Sequence, residues 1–230
     1  MSSTTLIVYA HGALSTKNSW NYIRQNLINR LTTEQSLNED ELPQEEFIKY
    51  NLNREASSEI VDKMVLKISE WIETKAIKKL VVVGHSFGGV LSVHAVRKLS
   101  GFLKEKKVKC RIVTMSSPFA GSEIAAVLRM FKPGSLFLLK PRSMFFENIG
   151  DHAAFIREFK SLPLPCHTHI FVTVEGGAEW MPQANDGVVT IDSQRFFEND
   201  PNASIHEIKA NHFEVLLADA VVTQLYKEVK

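Results

Sequence analysis

Among the residues able to do covalent chemistry, Ser86 stands in the most demanding setting. It is the centre of Gly84-His85-Ser86-Phe87-Gly88, a G-x-S-x-G run between an apolar stretch, Leu80-Val81-Val82-Val83, and a helical pattern from Phe87 to Leu99. A serine on a tight strand-to-helix turn is forced into a strained backbone conformation. The flanking glycines let strand and helix close around it. The N–H groups of the first helical turn have no partners inside the helix, so they favour negative charge beside the serine. The chemistry is that of an activated hydroxyl attacking an acyl carbon. The plainer reading is a glycine-rich turn around a phosphate, but no Gly-Lys-Ser/Thr run follows.

A serine hydroxyl needs a base. Of the eight histidines, His212 is the candidate, in Ala210-Asn211-His212-Phe213-Glu214 between the last strand pattern and the last helix pattern. The others fit less well: His85 sits inside the elbow, His94 in a helix and His206 in a strand. His167 and His169 alternate at a strand start, His152 lies in an irregular stretch, and His11 precedes a turn needed for another role. The base needs a carboxylate to hold its tautomer. Asp186, in Asn185-Asp186-Gly187-Val188-Val189, is the candidate, with Glu175, Glu179 and Asp192 as rivals. Asp-Gly is also an ordinary turn dipeptide. The chain order Ser86, Asp186, His212 favours Asp186, because it is the order that nucleophile-elbow folds use. An oxyanion needs two preorganised N–H donors. The backbone of Phe87 is one candidate. The loop His11-Gly12-Ala13-Leu14 offers the other, Ala13 ahead of Leu14.

The elements that must position these groups follow from hydrophobic periodicity. Leu6 to Ala10 reads as a buried strand, and Asn18 to Leu31 as a helix with Trp20, Ile23, Leu27, Ile28 and Leu31 on one face. Thr32 to Glu46 carries six acids and no base, which suggests a solvated loop; a second strand is expected at 47–52. Helices are expected over 57–74, 87–99 and 214–229, and strands over 80–83, 111–115, 169–174 and, more weakly, 204–209. Strand and helix alternate throughout, which argues for a mostly parallel sheet with helices on both faces in one domain over 1–230. The rhythm fails between Phe119 and Pro165, a stretch holding seven of the fourteen phenylalanines.

Composition bounds the rest. The 230 residues carry 27 Lys and Arg against 26 Asp and Glu. A near-neutral chain has no global field to gather nucleic acid. Two cysteines, Cys110 and Cys166, are too few for a disulfide framework and too far apart for a zinc pair. They read as thiols, with a single bridge between neighbouring strand starts as the alternative. The first apolar run is too short for a secretion signal, and no stretch approaches the ~20 apolar residues of a spanning helix. A cytoplasmic location is therefore expected.

Taken together, these pieces resemble the α/β-hydrolase superfamily, and within it the lipase and esterase branch that includes bacterial triacylglycerol lipases and the PGAP1-like proteins. The matching segments are His11-Gly12, Gly84-His85-Ser86-Phe87-Gly88, Ser116-Ser117-Pro118-Phe119-Ala120-Gly121-Ser122, Asp186-Gly187-Val188-Val189 and Asn211-His212-Phe213. The resemblance implies a reduced parallel sheet of six strands, because the chain opens at the strand leading into His11-Gly12. It implies ester hydrolysis by Ser86, His212 and Asp186 through an acyl-enzyme, with no cofactor or metal. It also implies a helical cap or lid over 119–165 and substrate contacts at Leu14, His85, Phe119 and Phe131. The phenylalanines of that segment fit a small-molecule or lipid ester with an apolar acyl chain, and Ile124 to Phe131 is a candidate for transient contact with a membrane surface. Two readings compete: transfer of the acyl group to an alcohol or thiol, and a non-enzymatic binding protein on the same fold.

Overall fold

A computed structural model of the chain describes residues 4–12, 15–52, 54–121, 155, 162–179, 181 and 183–230. Six strands are present among them: β1 (Thr5–Ala10), β2 (Gln44–Phe47), β3 (Lys79–His85), β4 (Lys109–Met115), β5 (Thr168–Thr173) and β6 (Ala203–Ile208). All neighbours pair parallel, in the order β2-β1-β3-β4-β5-β6. Five α-helices are described: α1 (Asn21–Glu34), α2 (Ser57–Thr74), α3 (Phe87–Glu105), the single turn α4 (Ile191–Gln194) and α5 (Asp219–Val229).

The inner strands are near-continuous apolar runs because both faces of the sheet are covered. Period-two alternation divides them. Leu6, Val8, Leu80, Val82, Ile112 and Ile170 face α2 and α3, packing on Ile60, Met64, Ile68 and Val90. Ile7, Tyr9, Val81, Val83, Val113 and Phe171 face the other way, onto Ile23, Leu27 and Leu31 of α1 and Val221, Val222 and Leu225 of α5. Each such fully buried side chain contributes about 1.5–3 kcal/mol relative to exposure.

Two expectations change. The second strand lies at Gln44–Phe47, inside the acidic run, not at 47–52. It is an edge strand, bonded among the described strands to β1 alone. Its acids are neutralised by partners from other elements instead of by water. Glu45 accepts from the Tyr9 hydroxyl at 2.8 Å and from Arg24 at 2.7 and 3.0 Å, while Glu46 pairs with Lys75. The closing helix is also interrupted. A 3-10 turn over Glu214–Leu217 stops at Ala218, whose extended backbone restarts the chain as α5. The two cysteines are free thiols at the adjoining starts of β4 and β5.

The chain leaves β1 towards one edge and returns through β3 towards the other, so the strand order reverses between β1 and β3. In open parallel sheets, the crevice beyond the carboxyl ends at that reversal is where ligands bind. Gly12 follows β1 there, and Ser86 follows β3.

Candidate active site

Ser86 has φ 54° and ψ −130°, outside every region that a side-chain-bearing residue enters without strain. The surroundings hold it there. Its N–H donates to the Met115 carbonyl at 2.8 Å, and its carbonyl accepts from Gly89 at 3.0 Å as α3 begins. A Cβ on Gly88 would lie 2.2 Å from the Ala10 carbonyl oxygen, so glycine is what lets α3 begin directly against the end of β1. A Cβ on Gly12 would lie 2.7 Å from the Ser86 Cβ, which puts the loop after β1 immediately beside the serine. Phe87 is the first residue of α3. Ala13, Leu14 and Phe131 lie outside the described residues, as does most of 119–165.

Asp186 and His212 meet although 26 residues separate them. The His212 Nδ1 to Asp186 Oδ2 distance is 2.9 Å, and both side chains are buried. The backbone joins them too, through His212 N–H to the Asp186 carbonyl at 3.1 Å. Asp186-Gly187 makes a turn and contacts His212 at once. Gly187, at φ 97°, turns the chain so that the carboxylate reaches the N–H groups of Val188 at 3.0 Å and Val189 at 2.8 Å. His212 is aimed by a reciprocal cap. Asn211 Oδ1 accepts from Phe213 and Glu214, and the Glu214 carboxylate accepts from the Asn211 N–H.

The Asp186 carboxylate has further donors that the sequence did not flag. The Thr173 hydroxyl donates to Oδ2 at 2.6 Å and the Gln194 amide at 3.0 Å. Behind Thr173, the Ser116 hydroxyl lies 2.9 Å away. Nothing in the local sequence marks these residues. Thr173 is the last residue of β5, and Gln194 lies in the short α4. Burial alone pushes the Asp186 carboxyl up. The His212 hydrogen bond and charge, the Thr173 hydroxyl and the Val189 N–H outweigh it and hold the group below the usual carboxylate range. An ionised carboxylate can only accept, so the proton of this contact belongs to His212 Nδ1, and His212 Nε2 is left bare when the ring is neutral.

His85 and Phe119, expected to touch substrate, are both buried in the interior. The His85 Nε2 lies 2.8 Å from the His212 carbonyl, and the two rings are 5.0 Å apart. Burial, and then the neighbouring His212, hold the His85 pKa down to about 3, so the ring is neutral and donates this bond from Nε2. The residue braces the loop that carries His212. Phe119 is fully buried, edge-on to Phe197 at 5.3 Å, so its ring belongs to the core. The rival acids Glu175, Glu179 and Asp192 have no described bond to His212. Among the described residues, no group of three His, Cys, Asp or Glu could hold a metal ion, and no helix is long and apolar enough to cross a membrane.

Several solved structures of lipolytic proteins share this fold. One is described as LipS and LipT, two metagenome-derived lipolytic enzymes; it is 12% identical with a TM-score of 0.67, over 100% of this chain and 94% of that one. A lipase-esterase related protein from Clostridium acetobutylicum is 13% identical with a TM-score of 0.62, over 98% and 95%. A Bacillus licheniformis lipase, BlEst2, is 18% identical with a TM-score of 0.64, over 96% of this chain and 50% of that one. These likenesses establish the α/β-hydrolase fold. No curated protein matches the sequence. Residues 1–144 match the family model described as "Putative serine esterase (DUF676)", and the chain belongs to that family.

Proposed function

We infer that the protein hydrolyses carboxylic esters with Ser86 as nucleophile, His212 as general base and acid, and Asp186 as the group that orients His212. The observation that carries this reading is the buried Asp186–His212 bond at 2.9 Å, tied to the strained serine (φ 54°) through its neighbour His85, which bonds the His212 carbonyl at 2.8 Å. Membership in a serine esterase family supports a hydrolase acting on esters.

With Nδ1–H held on Asp186, the bare His212 Nε2 accepts the Ser86 proton as Oγ attacks the acyl carbon. The N–H of Phe87, at the start of α3, and one from the loop after Gly12 stabilise the oxyanion; Ala13 is the proposed second donor. The alcohol leaves with the proton from His212. Water, deprotonated by the same ring, then attacks the acyl-enzyme and frees Ser86. The imidazolium formed twice in this cycle is stabilised by the Asp186 charge.

Residues 119–165 are proposed as a cap of this one domain, and its phenylalanines, Phe131 among them, together with Leu14, as an apolar wall for the acyl chain. Hydrolysis of a 4-nitrophenyl ester series from acetate to palmitate by wild type and Ser86→Ala tests both parts. Turnover by wild type, lost in the variant, with rates rising towards intermediate or long chains, is expected. A steep peak at acetate would remove the apolar-chain assignment, and undiminished turnover by the variant would remove the nucleophile.

A further inference from the structure

A cleft of about 430 Å³ lies beside Gly12, between the loop after β1 and the segment after β2. Its size is that of a small-ligand site. Its floor is apolar and largely aromatic, with Trp20, Phe47, Tyr50 and Leu52, and Lys17 and Lys49 are exposed on its lining. The Tyr50 hydroxyl donates to the His11 carbonyl, and its ring stacks on His11 at 4.3 Å, so the wall nearest the serine is firmly built. No carboxylate stands among the described lining residues. The nearby acids are already matched: Glu45 with Arg24, Glu46 with Lys75 and Glu55 with Lys63. Among the described residues, neither Lys17 nor Lys49 enters an ion pair. The cleft therefore combines an apolar floor with two positive charges that no described carboxylate pairs, and Gly12, which abuts Ser86, is part of its lining.

The geometry points to an ester whose acyl half ends in an anionic group, its methylenes on the aromatic floor and its anion between Lys17 and Lys49. This rests on Ser86 being the nucleophile. The acyl half is assigned because the loop through Gly12 is also the proposed source of the second oxyanion donor, so a carbonyl held there directs its acyl chain along this loop, while the departing alcohol must face His212 to take its proton. That leaves the β1–β2 side to the acyl group.

Four esters test this with the full chain: mono-4-nitrophenyl adipate against 4-nitrophenyl hexanoate, and 4-(hexanoyloxy)benzoate against phenyl hexanoate. The first pair places a carboxylate on the acyl half, the second on the leaving half. Wild type is expected to favour the adipate ester by about five-fold in kcat/KM, the scale of two exposed ion pairs. Raising salt narrows that ratio. Lys17→Ala combined with Lys49→Ala brings it close to one, and Lys49→Glu inverts it. An unchanged melting temperature shows that these variants fold. Equal kcat/KM for adipate and hexanoate, or a ratio untouched by the lysine variants, overturns the proposal. A preference confined to the benzoate pair overturns the acyl assignment. Turnover of the neutral esters without discrimination removes only this inference. Turnover of none of the four removes the nucleophile reading as well.

Discussion

Asp186 shows how much one side chain is made to do here. Its two oxygens accept from Val188, Val189, Thr173, Gln194 and His212, so every direction is occupied by a donor. Asp186→Asn puts an NH2 where donors converge and turns His212 to the wrong tautomer. Ester turnover is expected to fall by roughly 10³–10⁴ in kcat with KM little changed, and unfolding stability by about 1–3 kcal/mol. Steady-state kinetics alongside urea denaturation measures both; a kcat within a few-fold of wild type would show that His212 does not depend on this carboxylate. Ser86 and His212 stand out in the sequence as candidates because their settings are local, a glycine-flanked turn and a cap between strand and helix. Asp186 was legible only through chain order. Thr173 and Gln194 were not legible, because their role comes from packing across the end of β5, which no window of sequence contains.

At the scale of elements, the start of α3 is where strand, helix and loop converge with least room. Gly88→Ala must move α3 away from the Ala10 carbonyl. The expected cost is about 1–3 kcal/mol together with a loss of activity. Gly101 lies in the same helix, and a methyl added there would have nothing within 4 Å, so Gly101→Ala is expected to stabilise by about 0.5–1 kcal/mol and leave turnover alone. Denaturant midpoints of the two variants should move in opposite directions; a shift of the same sign would contradict the packing. The alternation of strand and helix was readable because buried parallel strands are apolar runs and their helices carry one-sided stripes. β2 escaped that reading because an edge strand needs no apolar run. Glu45 and Glu46 look like a solvated loop until Tyr9, Arg24 and Lys75 are brought to them by the fold.

At the scale of the whole molecule, the sheet gathers groups from β3, β5 and the segment after β6 at the end of the strands where the order reverses. The same enclosure leaves several histidines neutral. Burial holds His85 and His94 down to about 3, and lowers His169 and His206 as well. An unfolded histidine takes its proton near pH 6.5, so below that the unfolded chain binds more protons than the folded one, and stability rises with pH. This contribution is full above about pH 6.5 and is lost progressively towards about pH 3. Asp186, also lowered, adds a loss of the same sign below about pH 4. Melting temperatures should fall steadily from pH 7 to pH 4, with proton uptake on unfolding; a flat profile would contradict the neutral, buried histidines. The most direct test of the chemistry is a fluorophosphonate label followed by intact-mass and peptide mapping. One adduct on Ser86 is expected, absent from Ser86→Ala and formed far more slowly by His212→Ala. An unlabelled wild type, or an adduct on another residue, would contradict Ser86 as the nucleophile.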